Sequence, residues 1–238
     1  MPALLAVDHL TTGYGRIEVV HDIDFEVPAG SVVALLGANG AGKTTVLRAL
    51  SGTLPAWQGT IRLGGKRISG KAPHAIASSG LTLVPEGRGV FPGLSCADHL
   101  AIAGRAAREP GVADRVEAAL DAFPALRSML ARKAGTMSGG EQQMLALCRA
   151  FIAKPRLVLL DEISMGLAPL IVDRLYEGVV QLRDAGVTLL VVEQHLTHAL
   201  GVADLCYVMA KGRIVFVGEP GELRSSVAGD TYFTTQPT

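Results

Sequence analysis

Gly37-Ala38-Asn39-Gly40-Ala41-Gly42-Lys43-Thr44 is the stretch on which the reading of this chain turns. It has the spacing G-x-x-x-x-G-K-[ST] of a loop that cradles phosphate groups. The apolar run Val32–Leu36 enters it and reads as a buried strand, and Thr45–Leu50 leaves it and reads as a helix. That setting separates the motif from a glycine-rich turn with a chance lysine. Glycines let the backbone curl so that successive N–H groups face one centre. The helix start behind them adds a positive dipole end and unpaired donors. In such a loop Lys43 reaches the β- and γ-phosphates of a nucleotide, and Thr44 ligates Mg²⁺.

Outward from the loop, the bulk composition narrows the alternatives. At 238 residues the chain suits one large domain with a sub-domain. Lys plus Arg equals Asp plus Glu, 22 against 22, so nothing favours a nucleic-acid partner held by bulk charge. No apolar run is long enough to span a bilayer, and the start, Met1 to Asp8, lacks the features of a secretory signal. Cys96, Cys148 and Cys206 have neither metal spacing nor a disulfide framework and read as reduced, structural thiols.

Upstream, Leu4–Leu10 and His21–Val27 alternate apolar and polar residues and read as strands, with Thr12–Gly15 as a turn between them. Tyr14 is placed either to stack on a base or as an ordinary turn tyrosine; spacing leaves both open. Downstream come a short strand at Thr60–Leu63, a helix from Pro73 to Ser79 and a strand at Leu81–Val84. The last ends at Pro85-Glu86-Gly87-Arg88-Gly89, where Glu86 is either a surface-turn acid or a group that reaches a metal or an attacking water. Residues 92–153 read differently: helices at Cys96–Arg105, Asp114–Phe123, Leu126–Leu130 and Glu141–Ile152, rich in alanine and poor in β-branched residues. This is a helical insertion between the two parts, 1–91 and 154–238, of an α/β unit. Ser138 fits the N-cap of the last helix, with Glu141 closing a capping box. The glycine pair Gly139-Gly140 bares backbone N–H groups and makes a second anion site.

Leu157–Leu160 is an apolar strand that stops at Asp161-Glu162. Paired acids at a strand end in a phosphate-loop protein suit one carboxylate for Mg²⁺, Asp161, and one to polarise water, Glu162. A helix follows from about Leu170 to Ala185, and then a strand, Val187–Val192, that leads to Glu193-Gln194-His195. A lone histidine is usually structural, but at the end of a parallel strand His195 is expected to point toward the ligand-bearing edge of the sheet, where it could donate to a γ-phosphate oxygen. Leu205–Met209 and Ile214–Val217 read as a closing hairpin and Glu219–Val227 as a short helix, and the tail from Gly229 has no pattern.

Together these motifs resemble the ATP-binding cassette of ABC transporters over nearly the whole length. Tyr14 matches the A-loop aromatic, Gly37–Thr45 Walker A, and Ser138-Gly139-Gly140-Glu141-Gln142 the signature, which is far more specific. Leu157–Glu162 matches Walker B with the catalytic glutamate, Ser164–Pro169 the D-loop, and His195 the switch histidine. Val84-Pro85-Glu86-Gly87-Arg88 and Ser164-Met165-Gly166-Leu167-Ala168-Pro169 resemble the ATPases of high-affinity branched-chain amino-acid importers, which carry Glu where most cassettes have Gln. Ile163 and Met137 depart from the usual proline and leucine but stay apolar.

The resemblance implies an α/β P-loop NTPase fold with a mixed sheet, an N-terminal antiparallel β sub-domain and a helical sub-domain carrying the signature. It implies catalytic roles for Glu162, His195 and Lys43, and ATP contacts from Tyr14, Gly37, Ala38, Asn39, Gly40, Ala41, Gly42, Lys43, Thr44 and Thr45. Further ATP contacts come in trans from Ser138, Gly139, Gly140 and Glu141, and Mg²⁺ contacts from Thr44, Asp161 and Glu86. The implied partners are a second ATPase subunit in a head-to-tail dimer, like or unlike the first, and integral-membrane permeases. A periplasmic or lipid-anchored solute-binding protein is an indirect partner. The implied location is the cytoplasmic membrane face of a bacterium or archaeon. Urea and short-chain amide importers, and cassettes that act as nucleotide switches outside transport, are the alternative readings.

Overall fold

Apolar runs unbroken by polar residues need burial on both faces, and a parallel sheet covered on both sides supplies it. The computed structural model describes residues 2–87, 89–106, 111–194 and 196–225. Strands β1 (Ala3–Tyr14), β2 (Ile17–Pro28) and β3 (Val32–Gly37) lead to helix α1 (Lys43–Leu50). Next come β4 (Gln58–Leu63), β5 (Lys66–Arg67), α2 (Pro73–Ser78) and β6 (Leu81–Val84). The helices α3 (Cys96–Ala106), α4 (Val112–Ala122) and α5 (Gly139–Ile152) follow, and then β7 (Leu157–Asp161), α6 (Pro169–Asp184) and β8 (Thr188–Glu193). The described chain closes with α7 (Leu196–Val202), β9 (Leu205–Ala210), β10 (Arg213–Gly218) and α8 (Pro220–Ser225).

The strands form two sheets. One is antiparallel, in the order β2-β1-β4-β5; the other is mixed, in the order β10-β9-β3-β8-β7-β6, with only β10 antiparallel to its neighbour. Side chains alternate between the faces of the mixed sheet. Val158 and Leu160 of β7 and Leu189 and Val191 of β8 join a core shared with α3 to α6. Leu157, Leu159, Leu190 and Val192 point the other way, into a core shared with α1 and the antiparallel sheet. Ala34 and Leu36 of β3 meet α7, β9 and α8 in a third cluster.

Two local expectations are corrected. Thr12–Tyr14 is not a turn: β1 runs to Tyr14. Its pairing with β2 shifts between Val7 and Leu10 and again beyond, and His9 has φ 51°, so four consecutive residues, 10 to 13, are buried and the alternation is lost. The stretch around Leu126–Leu130 is a 3₁₀ segment, Pro124–Met129, rather than an α-helix. The helix expected to reach Val227 is described as far as Ser225; residues beyond it, and His195, lie outside the described residues.

The register aligns strand ends at one edge. Leu36 lies opposite Glu193, Val192 opposite Asp161, and Leu160 opposite Val84. The chain segments that begin at Gly37, Glu162, Pro85 and Gln194 therefore leave the sheet side by side, at the carboxyl ends of parallel strands where α/β proteins hold ligands.

Candidate nucleotide site

A cleft of about 390 Å³ opens at this edge, lined by Val19, Asn39, Gly40, Gly42, Lys43, Thr44, Thr45, Glu86, Glu162 and Met165. Gly42, at φ 105°, turns β3 into α1 in a conformation that side chains resist. No side chain caps α1, and its first intrahelical bond is Val46 N–H to Gly42 O, 3.0 Å. The Lys43, Thr44 and Thr45 N–H groups are thus left to meet an anion.

Lys43 is buried, and its Nζ donates to Gly37 O (2.7 Å) and Ala38 O (3.2 Å) and pairs with Glu162 Oε1 at 3.1 Å. Glu162 has φ 44°, a left-handed conformation that costs a non-glycine residue about 1–3 kcal/mol. The Glu162 N–H is held by Val192 O at 2.9 Å. The loop lysine and the strand-end glutamate thus satisfy each other, so a phosphate brought to this loop would compete with Glu162 for the Lys43 ammonium.

Asp161 is 4% exposed and accepts from Thr44 Oγ1 at 3.3 Å. Burial pushes its carboxyl up to about 6, with Glu162 and Glu86 adding and Thr44 and Lys43 opposing. A buried carboxylate short of positive charge beside a threonine hydroxyl is a hard-oxygen pair suited to Mg²⁺. That ion is usually held by one or two carboxylates and substrate phosphates rather than an all-protein cage. The sign of the linkage is testable. The folded value, about 6, lies above the ordinary 3.8, so ionised Asp161 lowers stability as pH rises through that interval. Asp161→Asn is expected to stabilise the nucleotide-free chain by up to about 3 kcal/mol at pH 7.5. The gain should vanish near pH 4 in thermal melts. Mg²⁺ with ATP should stabilise the wild type more than the variant.

Tyr14 lies beside the cleft, not in its lining. Its hydroxyl accepts from Thr45 Oγ1 (3.3 Å) and Arg48 (3.1 Å), and the Arg48 guanidinium sits 5.8 Å from its ring centre. Sequence reading missed Arg48, and also Val19 in the lining, an apolar residue in no motif; it placed Met165 in the D-loop without assigning it to the cleft.

Ser138, Gly139, Gly140 and Glu141 do not line this cleft. The capping box is complete: Ser138 Oγ accepts the Glu141 N–H (3.3 Å), and the Glu141 carboxylate accepts the Ser138 N–H (2.6 Å) while meeting Arg132 at 3.3 Å. Glu141 is therefore engaged within its own chain. Gly140 has a packing reason as well, since a Cβ there would lie 2.2 Å from Ile171 of α6. The Gly139 and Gly140 N–H groups precede the first intrahelical bond and point out of the helix start, and Ser138 is exposed. Met137 and Ile163, the two departures from the usual pattern, are both buried in the core. The three cysteines are buried and unpaired, with Cys148 pushed up to about 12 by burial.

Comparison with known proteins agrees with this geometry. Residues 20–164 match the ABC transporter family. The chain is 44% identical to the high-affinity branched-chain amino acid transport ATP-binding protein BraG of Pseudomonas aeruginosa, covering 89% of this chain and 91% of that one. It is 36% identical to the probable branched-chain amino acid transport ATP-binding protein LivF of Archaeoglobus fulgidus, covering 92% and 94%. Among solved structures, a nucleotide-free ATP-binding cassette superposes with a TM-score of 0.85 at 22% identity, covering 99% of this chain and all of that one. An ATP-binding subunit of an ABC transporter gives 0.85 at 27%, covering 97% and 98%. The chain belongs to the ABC transporter family, as one of its ATPase subunits with the α/β P-loop fold.

Proposed function

We propose that this chain drives an importer of branched-chain, hydrophobic amino acids, working at the cytoplasmic membrane face as one half of a head-to-tail ATPase dimer. The names of the two relatives support the solute class. The observation that carries the dimer is the division of the anion sites. The cleft is built from the phosphate loop, Glu86 and Glu162, while Ser138 and the Gly139-Gly140 helix start lie outside its lining. Each subunit then supplies half of two sites, and ATP bridges them.

Thr44 and Asp161, with Glu86 nearby, would hold Mg²⁺, which would supply positive charge to neutralise the phosphates. Lys43 leaves Glu162 for the β- and γ-phosphate oxygens, joined by the free N–H groups of α1. Glu162, freed, orients a water and takes its proton as the oxygen attacks the γ-phosphorus and the bond to ADP breaks. Ser138 Oγ, the Gly139 and Gly140 N–H groups of the facing subunit, and His195 donate to the γ-phosphoryl oxygens. Phosphate departure removes the bridge, and the dimer opens.

No helix among the described residues is long and apolar enough to cross a membrane; in this reading a permease partner supplies the spans. A groove between β6, α3 and α5, lined by Leu83, Pro85, Ile102, Ala146 and Arg149, offers it a seat beside Glu86. The test is purification from native membranes and reconstitution with the partners found. Integral-membrane proteins are expected to accompany the chain, and its ATPase is expected to rise with leucine-loaded binding protein. Stimulation by urea or short-chain amides instead, or recovery without any membrane partner, would overturn the reading.

A further inference from the structure

Among the described residues, Glu193 is the one buried acid at the site edge that this mechanism leaves without a task. It ends β8 and is 1% exposed. Oε1 accepts from the Ser164 N–H (3.2 Å) and from the Tyr176 hydroxyl (3.2 Å), and Oε2 accepts from Ser164 Oγ (2.9 Å). Ser164 stands two residues after Glu162, in the turn where Met165 N–H bonds Glu162 O at 3.2 Å. Tyr176 is on α6, so one carboxylate ties the turn after Glu162 to the neighbouring strand end and to the helix that follows.

We propose that Glu193 is a positioning residue for hydrolysis, holding the turn that fixes where the Glu162 carboxylate points. Three observations converge on it. Glu162 is in a left-handed conformation, which persists only where its surroundings over-determine it. Its own N–H is fixed from Val192, the residue before Glu193, so β8 grips this turn on both sides of Glu162. A buried carboxylate is costly unless hydrogen-bonded, and here its three donors come from the turn and from α6. Burial raises Glu193, with the nearby Glu162 charge adding and the Ser164 and Tyr176 bonds opposing. The bonds, not the charge, carry the role: a glutamine can keep all three by turning its amide nitrogen to Ser164 Oγ, which then accepts.

This inference rests on Glu162 being the base, and the experiment separates the two. Steady-state ATPase assays on the full chain should show Glu193→Leu lowering kcat about 10²-fold, the cost of misplacing a reacting group by about 1 Å. KM for ATP should stay within about 3-fold, because Glu193 is not in the lining of the cleft. Glu193→Gln should recover kcat to within about 3-fold of wild type. Ser164→Ala, which deletes one hydroxyl and spares the fold, should lower kcat about 10-fold and add nothing to Glu193→Leu. In the Glu162→Gln background Glu193→Leu should have no further effect. Unchanged kcat in Ser164→Ala, failure of glutamine to rescue, or a KM rise matching the kcat loss would overturn the proposal while leaving Glu162 untouched. Full turnover in Glu162→Gln alone would instead remove the base reading beneath it.

Discussion

Glu162→Gln is expected to abolish turnover while sparing nucleotide binding. A general base contributes about 10²–10⁴ to rate, and phosphate release at saturating ATP should fall by that factor. The same exchange removes the charge that holds Lys43 at 3.1 Å. Lys43 keeps its bonds to Gly37 O and Ala38 O, so the loop retains its shape, and incoming phosphate no longer competes with a carboxylate. ATP affinity should therefore be equal or higher. With hydrolysis blocked, the bridge between subunits persists, and size-exclusion in Mg²⁺ and ATP should show a lasting dimer. Hydrolysis at the wild-type rate would show that Glu162 is not the base.

Lys43→Ala should act on the other half of the pair. The lysine is lost as a donor to two phosphate groups, and charge-assisted bonds are worth about 1.5–3 kcal/mol each. Two of them correspond to about 10²–10⁴ in Kd, which titration calorimetry with ATP would read directly. The variant also leaves the Glu162 charge facing the phosphates, so the loss should shrink in the Lys43→Ala, Glu162→Gln double variant. Binding unchanged from wild type would refute the role of the loop lysine.

The site's components were legible because each follows an apolar run that stops abruptly. Leu36, Leu160 and Val84 end such runs, and the next residues are the phosphate loop, Asp161-Glu162 and Pro85-Glu86. A parallel sheet with matched strand lengths has to deliver those residues to one edge. What the sequence withheld is relational. Nothing in Glu193 or Ser164 announces that they meet, because the bond depends on β8 lying beside β7, 29 residues away in sequence. The Lys43–Glu162 pair and the left-handed Glu162 likewise exist only once strand order is set. Thr12–Tyr14 was misread because a bulge shifts the phase of β1, and a period-two pattern has no means of marking the shift. Gly140 was legible as a glycine with a purpose, but its contact with Ile171 gives it a second one.

The helices of residues 92–153 share one interior with the sheet. Leu100, Leu120, Leu145 and Leu147 belong to the same cluster as Leu160, Val191 and Leu175. Prising the helices away so as to wet about 400 Å² of that seam would cost about 10 kcal/mol, as much as a typical domain's whole margin against unfolding. Gly140 against Ile171 and Gly178 against the Phe123 ring leave no room for a methyl group, so the contact behaves like meshed teeth. Under the proposed function, motion of these helices through the nucleotide cycle would then be a small roll with the seam kept dry, and the stroke delivered to a membrane partner would be correspondingly short and stiff.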